Sequence, residues 1–265
     1  MPRSGGIRLL VCVGDLHCGS RQGLLPPGVQ DAEGAVFRLN EFQEWAWGRY
    51  TDFIKWKDDI VAGDPHDLVV NGDLPEGPKS ADVVSHQPNE QRQIAIECIK
   101  PLAKDAASLH IVKGTRYHVG VDEEQAIAHE LGTTACWRLP LCYHQSHGRI
   151  THHIGVTGIM RMESGAPGRE LVEEQARAGV VNRPMIRWIV RSHRHIFGYY
   201  GNAYGLAVAL PAWQAHTEYV HKVMPSVEEC VVGGCILDWR GLEPDSVPRL
   251  HSKVWPQPPM KVLYR

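Results

Sequence analysis

Four groups of residues in this sequence have the types and spacing that hold metal ions: Asp15-Leu16-His17, Asp73, the pair His152-His153, and His193-Arg194-His195. Asp15 and His17 stand two apart directly after an apolar run. In extended backbone both side chains then point to the same side and can grip one ion together. His193 and His195 repeat that spacing at the end of a later apolar run. Asp73 adds a carboxylate able to bridge two cations. Adjacent side chains on a strand face opposite ways, so one of His152 and His153 is expected to point inward. A carboxylate with several imidazoles suits Zn²⁺, Mn²⁺ or Fe better than Ca²⁺.

The elements that must position these groups can be read from periodicity and turn residues. Ile7 to Val13, Asp67 to Asn71 and Leu109 to Lys113 are short apolar runs, each ending at glycine and a polar cluster. They read as buried strands. Between them, Asn40 to Ala62 carries a helical stripe of Phe42, Trp45, Ala46, Phe53, Trp56 and Ile60, expected to be core. Asn89 to Ala107 reads as a helix kinked near Pro101. Strands alternating with helices imply a largely parallel sheet, whose ligands gather beyond the C-terminal ends of the strands. Further along, Cys142 to Gly158 reads as a hairpin turning around Gly148 and holding the His pair. Gly168 to Ala178 reads as a helix and Met185 to Arg191 as a strand. Gly205 to Pro211 and Glu229 to Leu237 read as antiparallel strands, Tyr199 to Gly205 as a turn, and the Pro-rich end as a wrapping tail.

Composition narrows the class. The 265 residues are 43% hydrophobic and 22% charged, average globular usage that supports one domain over residues 1 to 265. A net charge of -2 excludes the overall basic footprint of a dedicated duplex-DNA binder and leaves room for a local basic groove. Seven cysteines without a Cys-x-x-Cys pair suggest free thiols and a cytoplasmic setting. No signal peptide or membrane span is expected.

Taken in order, Gly14-Asp15-Leu16-His17, Gly72-Asp73, the Gly114-led loop, His152-His153 and His193-Arg194-His195 resemble the calcineurin-like metallophosphoesterase family. The phage-type branch is the nearest likeness, through His152-His153, Arg191-Ser192-His193-Arg194-His195 and Pro211-Ala212-Trp213-Gln214. The resemblance implies a four-layer α/β/β/α sandwich with mixed sheets and two divalent transition-metal ions, Mn, Zn, Fe or Ni. By the same likeness Asp15, His17 and His195 hold the first metal, Asp73 bridges, and His193 with His152 holds the second, His153 being the alternative.

The chemistry implied is hydrolysis of a phosphoester, most readily a phosphodiester in a nucleotide or single-stranded nucleic acid. Two cations ~3.5–4 Å apart stabilise the attacking and leaving oxygens, and water bridging them becomes hydroxide near neutral pH. The third motif departs from the family. Gly114-Thr115-Arg116-Tyr117-His118 stands where Gly-Asn-His-Asp or Gly-Asn-His-Glu is usual. There Thr115 offers a hydroxyl in place of an amide, and His118 is the candidate acid for the leaving oxygen. Arg116 and Arg194 are candidates for holding a non-bridging oxygen. The alternatives are a phosphomonoesterase on the same metals and a catalytically weakened phosphate-binding protein that keeps one metal. No P-loop, Gly-x-Ser-x-Gly elbow or zinc-finger spacing competes.

Overall fold

The computed structural model describes residues 6–116, 122–153, 165–215, 217 and 230–258. Two mixed sheets organise them. The first has strands β1 (Leu9–Gly14), β2 (Asp67–Asn71), β3 (Ser108–Val112), β4 (Ala135–Cys136), β10 (Val231–Asp238) and β11 (Arg249–Pro256), in the order β11-β10-β1-β2-β3-β4. The second has β5 (Leu139–Tyr143), β6 (Ser146–Ile150), β7 (Ile186–Arg191), β8 (Gly198–Asn202) and β9 (Gly205–Ala209), in the order β5-β6-β7-β9-β8. The run β1-β2-β3-β4 is parallel, and so is β6-β7-β9, while the flanking strands are antiparallel.

Three apolar clusters show that the layers stack as α/β/β/α. Leu9, Val11 and Val13 of β1 face helices α1 (Glu41–Val61) and α2 (Pro88–Ala103), in a cluster with Phe53, Ile94 and Ile99. The alternate residues Leu10 and Cys12 face the other way and meet Trp188 and Val190 of β7 between the sheets. Ile189 and Ala207 turn outward again and pack against Leu171 of helix α4 (Gly165–Val180). A strand buried on both faces must be apolar at every position, which is why β1 and β2 read as continuous runs. The helix over Asn40 to Ala62 forms with Asn40 closing a capping box to Gln43, and ends at Ala62 in the left-handed conformation. Of its expected stripe, Ala46 and Phe53 are fully buried, and Phe42, Trp45, Trp56 and Ile60 pack half-buried against the same cluster.

Several expectations are corrected. The hairpin β5-β6 turns at His144-Gln145, both left-handed, and not at Gly148. A two-residue loop with two positive φ values matches the twist of the strands, and the usual Asn-Gly signal is absent there. Gly148 lies within β6, where the Trp188 ring occupies the space a Cβ would need, at 2.0 Å. The histidine pair therefore lies past the end of β6 instead of within a hairpin. Tyr199 to Asn202 form strand β8, and only Ala203-Tyr204 turn. Gly205–Ala209 is parallel to β7 on one side. The expected tail contains β11, which pairs with β10 along its full length. A short helix, α3 (Glu123–Glu130), was not expected at all. Among the described residues, no helix is long and apolar enough to cross a membrane.

Candidate metal centre

Every strand that leads into the site is parallel to its neighbour and enters from the same end. Asp15 and His17 follow β1, Asp73 follows β2, and Thr115 follows β3. His152 follows β6, and His193 and His195 follow β7. The loops after β1 and β2 continue the ladder, with Asp15 N–H donating to Gly72 O at 3.0 Å and His17 N–H to Asp73 O at 2.9 Å. Gly72 and Gly114 are required by crowding. A Cβ on Gly72 would meet His152 Nδ1 at 2.3 Å, and one on Gly114 would meet the Asp73 backbone nitrogen at 2.2 Å.

The expectation of extended backbone at the two x-separated pairs is wrong. Asp15, His17, Asp73, His193 and His195 have φ of 49°, 45°, 49°, 77° and 57°. Side chains in the left-handed region cost on the order of 1–3 kcal/mol each, and such residues concentrate where a site over-determines the backbone. The curled loops, not a strand pleat, aim these groups inward.

The groups converge in two sets that share Asp15. In the first, His17 Nε2 lies 3.1 Å from His195 Nε2, and Asp15 Oδ1 lies 3.5 Å from His195 Nε2 and 4.0 Å from His17 Nε2. In the second, His152 Nε2 is 3.2 Å from Asp73 Oδ2 and 3.9 Å from Asp15 Oδ1. Thr115 Oγ1 sits among them, donating to Asp73 Oδ2 at 3.1 Å and lying 3.4 Å from His152 Nε2 and 3.2 Å from His193 Nδ1. Two ligands each about 2.1 Å from a tetrahedral ion are about 3.4 Å apart. Both sets have that spacing. Asp15 Oδ1 and His195 Nδ1 are buried without a hydrogen-bond partner, and such orphaned atoms call for an explanation. A cation supplies one for Asp15 Oδ1, which three imidazole nitrogens approach at 3.5 to 4.0 Å without closing a hydrogen bond. His152, His153 and His193 also cluster closely enough to share an ion. His152 is buried and aims at the carboxylates, whereas His153 is exposed.

Groups behind these side chains fix their orientation. Glu76 Oε2 accepts from His17 Nδ1 at 2.7 Å and from Gln214 Nε2 at 2.8 Å, so the lone pair of His17 is left at Nε2. His152 Nδ1 donates to Asn71 O at 2.9 Å, with the same effect. The Pro211-Ala212-Trp213-Gln214 segment acts twice, through Gln214 and through the Trp213 N–H donated to Asp15 O. Arg191 pairs with Glu170 of α4 and donates to Arg149 O. It anchors β7 and does not reach the site. Glu124 receives the N–H groups of Leu74 and Gly114, and burial together with the charge of Asp73 pushes its pKa up to about 8. Sequence reading missed Glu76 and Glu124. Nothing in Leu74-Pro75-Glu76 marks that acid, and Glu124 lies on the unexpected helix α3.

The electrostatics of the two sets differ. Burial raises the Asp15 carboxyl, but His152 and His195 outweigh it and hold it below its ordinary value. Burial lowers His17, and the Glu76 hydrogen bond more than compensates. Burial also lowers His152, yet Asp73 and Asp15 bring its pKa up to about 10. His193 goes the other way, to about 4, through burial and the neighbouring His152. A proton on His152 thus does in the bare protein what a cation does more strongly.

Arg116 is exposed beside Thr115, and Arg194 is half-buried between His193 and His195. His118 lies outside the described residues. The seven cysteines are all free thiols.

No protein family and no curated protein matches the sequence. Solved structures align along most of the chain. Vps29 of Chaetomium thermophilum is 13% identical, covers 95% of this chain and 98% of its own, and gives a TM-score of 0.47. Vps29 of Entamoeba histolytica, solved with zinc, is 10% identical, with 94% and 99% covered and a TM-score of 0.44. An archaeal phosphodiesterase is 11% identical, with 92% and 99% covered and a TM-score of 0.40. Likenesses of this degree carry no chemistry.

Proposed function

We propose that this chain is a metal-dependent phosphoesterase of the calcineurin-like type that hydrolyses a phosphodiester in a nucleotide or nucleic acid. The observation that carries the reading is Asp15 Oδ1, buried and without a hydrogen-bond partner, at the junction of two ligand sets with coordination spacing. Asp15, His17 and His195 would hold one ion, Asp73 would bridge, and His152 and His193 with the Thr115 hydroxyl would hold a second. Divalent ions held there would neutralise the anionic ester and lower the pKa of bound water to the neutral range.

The residues of the chain supply the rest. Glu76 and Asn71 keep Nε2 of His17 and His152 facing inward. Arg116 and Arg194 flank the ligand loops as candidates to hold a non-bridging phosphate oxygen. His118 is the candidate donor to the leaving oxygen, a role worth about 10²–10⁴ in rate. Thr115 favours a second reading, because a neutral hydroxyl holds a cation less well than an amide carbonyl. In that reading the protein keeps one metal and binds a phosphate ligand with little turnover.

The test combines elemental analysis with model esters. More than one equivalent of transition metal and Mn²⁺-supported hydrolysis of bis-p-nitrophenyl phosphate are expected. Hydrolysis of p-nitrophenyl phosphate alone would make the protein a phosphomonoesterase. Full metal with both esters intact would defeat the catalytic reading, and one equivalent or less would favour the binding protein.

A further inference from the structure

Of the eight tryptophans, Trp137 alone is exposed, at 48% of its surface. It follows β4 directly and is held beside the metal loops by the Lys113 N–H, which donates to the carbonyl of the preceding Cys136 at 2.8 Å. Two cations flank its ring, with Lys113 Nζ 5.8 Å and the Arg116 guanidinium carbon 5.9 Å from the centroid. Both distances are at the outer limit of a cation–π contact, so neither cation closes the ring face. Between Lys113 and Arg116 in the chain stands Thr115, whose hydroxyl touches Asp73, His152 and His193. A half-exposed aromatic ring between two cations, one of which adjoins Thr115 in the chain, has the composition of a single-strand nucleic-acid subsite. There a base stacks on the ring while the cations take the adjoining phosphates. The chain's net charge of -2 makes this local concentration of positive charge the more telling.

We infer that Trp137, Lys113 and Arg116 form a subsite that stacks one base of a single-stranded nucleic acid and neutralises its flanking phosphates. This rests on the phosphodiesterase reading for its purpose, but not for its test. Binding of a fluorescein-labelled oligothymidylate is measured by anisotropy with EDTA present, so that turnover plays no part. Trp137→Ala is expected to weaken binding about tenfold and Trp137→Phe by less than about twofold. Lys113→Ala with Arg116→Ala is expected to reduce the slope of log affinity against log salt by about 1.4, roughly 0.7 for each lost phosphate contact. With metal restored, Trp137→Ala should lower kcat/KM on the oligonucleotide relative to that on bis-p-nitrophenyl phosphate by a similar factor. Unchanged affinity in Trp137→Ala, at unchanged thermal midpoint, overturns the subsite while leaving the metal centre standing. Loss of affinity in a protein that cleaves no diester upholds the subsite and overturns the catalytic reading instead.

Discussion

The two halves of the proposed metal centre are built to different standards. The Asp15, His17 and His195 half is buried, and a carboxylate, an amide and a backbone N–H stand behind it in Glu76, Gln214 and Trp213. The Asp73, His152 and His193 half is more open. Its His193 is half-buried, its neutral contributor is the Thr115 hydroxyl, and its two histidines are driven to opposite extremes, about 10 and about 4. A backed ligand keeps one orientation whether or not an ion is present. His152 has such backing in Asn71 O whereas His195 Nδ1 is without a partner, so the difference between the halves lies in the partial exposure of His193 and in the neutral Thr115 hydroxyl. The first half is therefore expected to hold metal tightly, and the second to fill as conditions allow.

Four measurements bear on that contrast. The largest effect is expected from Asp73→Asn. Removing a charge that both halves feel should cut diester turnover by about a thousandfold, since metal-centred stabilisation amounts to several kcal/mol. A rate within tenfold of the parent would remove Asp73 from the bridging position. Next comes Glu76→Ala, which strips the backing from His17 and should weaken the tighter metal by about 10- to 100-fold in competition with a chelator. An unchanged affinity for the first equivalent in Glu76→Ala would show that Glu76 does not support the tighter half. Thr115→Asn should act in the opposite direction and on the other half alone, raising affinity for the second equivalent up to about tenfold. An unchanged second binding step would show that the hydroxyl is not what limits it.

The smallest effect is a pH dependence of the metal-free protein. The folded-state pKa of His152 is raised, so its contribution to stability is complete below the unfolded value, about 6.5, and is lost as pH rises through about 10. The folded-state pKa of His193 is depressed, so its contribution is present above about 6.5 and is lost as pH falls toward about 4. The melting temperature of the bare protein should decline on both sides of neutrality. In His152→Ala the alkaline decline should shrink. Metal should flatten the same alkaline limb by taking the proton's place, and it should release protons on binding when both are measured calorimetrically near pH 8. A bare protein equally stable at pH 7 and pH 10 would contradict the His152 environment.

Much of this was legible in the sequence wherever burial is two-sided or chemistry is concentrated. Strand Asp67–Asn71 matches its expected bounds because apolar side chains are needed on both of its faces. Elements at the rim were harder. β8 carries Tyr199 and Tyr200 largely in solvent, and β11 mixes charged and apolar residues between prolines, so neither shows a buried period. The hairpin turn at His144-Gln145 uses two residues with no turn signal, while Gly148, which has one, is needed for a ring to pass. At the site, residue types and spacing indicated which side chains would meet, but not how. The pleat argument put Asp15 and His17 on one side of an extended chain, whereas the loop achieves this through left-handed residues. Glu76 and Glu124 escaped notice because an acid that supports a ligand has no spacing rule of its own.

Asn71 joins these levels. Its carbonyl holds His152, and its amide donates to Ser192 Oγ at 2.7 Å and to Thr151 O at 3.2 Å, so one side chain of the first sheet is tied to two strand ends of the second. Ligands from both sheets meet a few ångströms beyond it. An ion at that point would act as a rivet through two plates, and any slip of one sheet over the other would shear the coordination shell. The mouth of the sandwich is then a place where mechanical stiffness and metal occupancy are the same quantity, and backbone amides along the facing strands should exchange their hydrogens in step with the metal content.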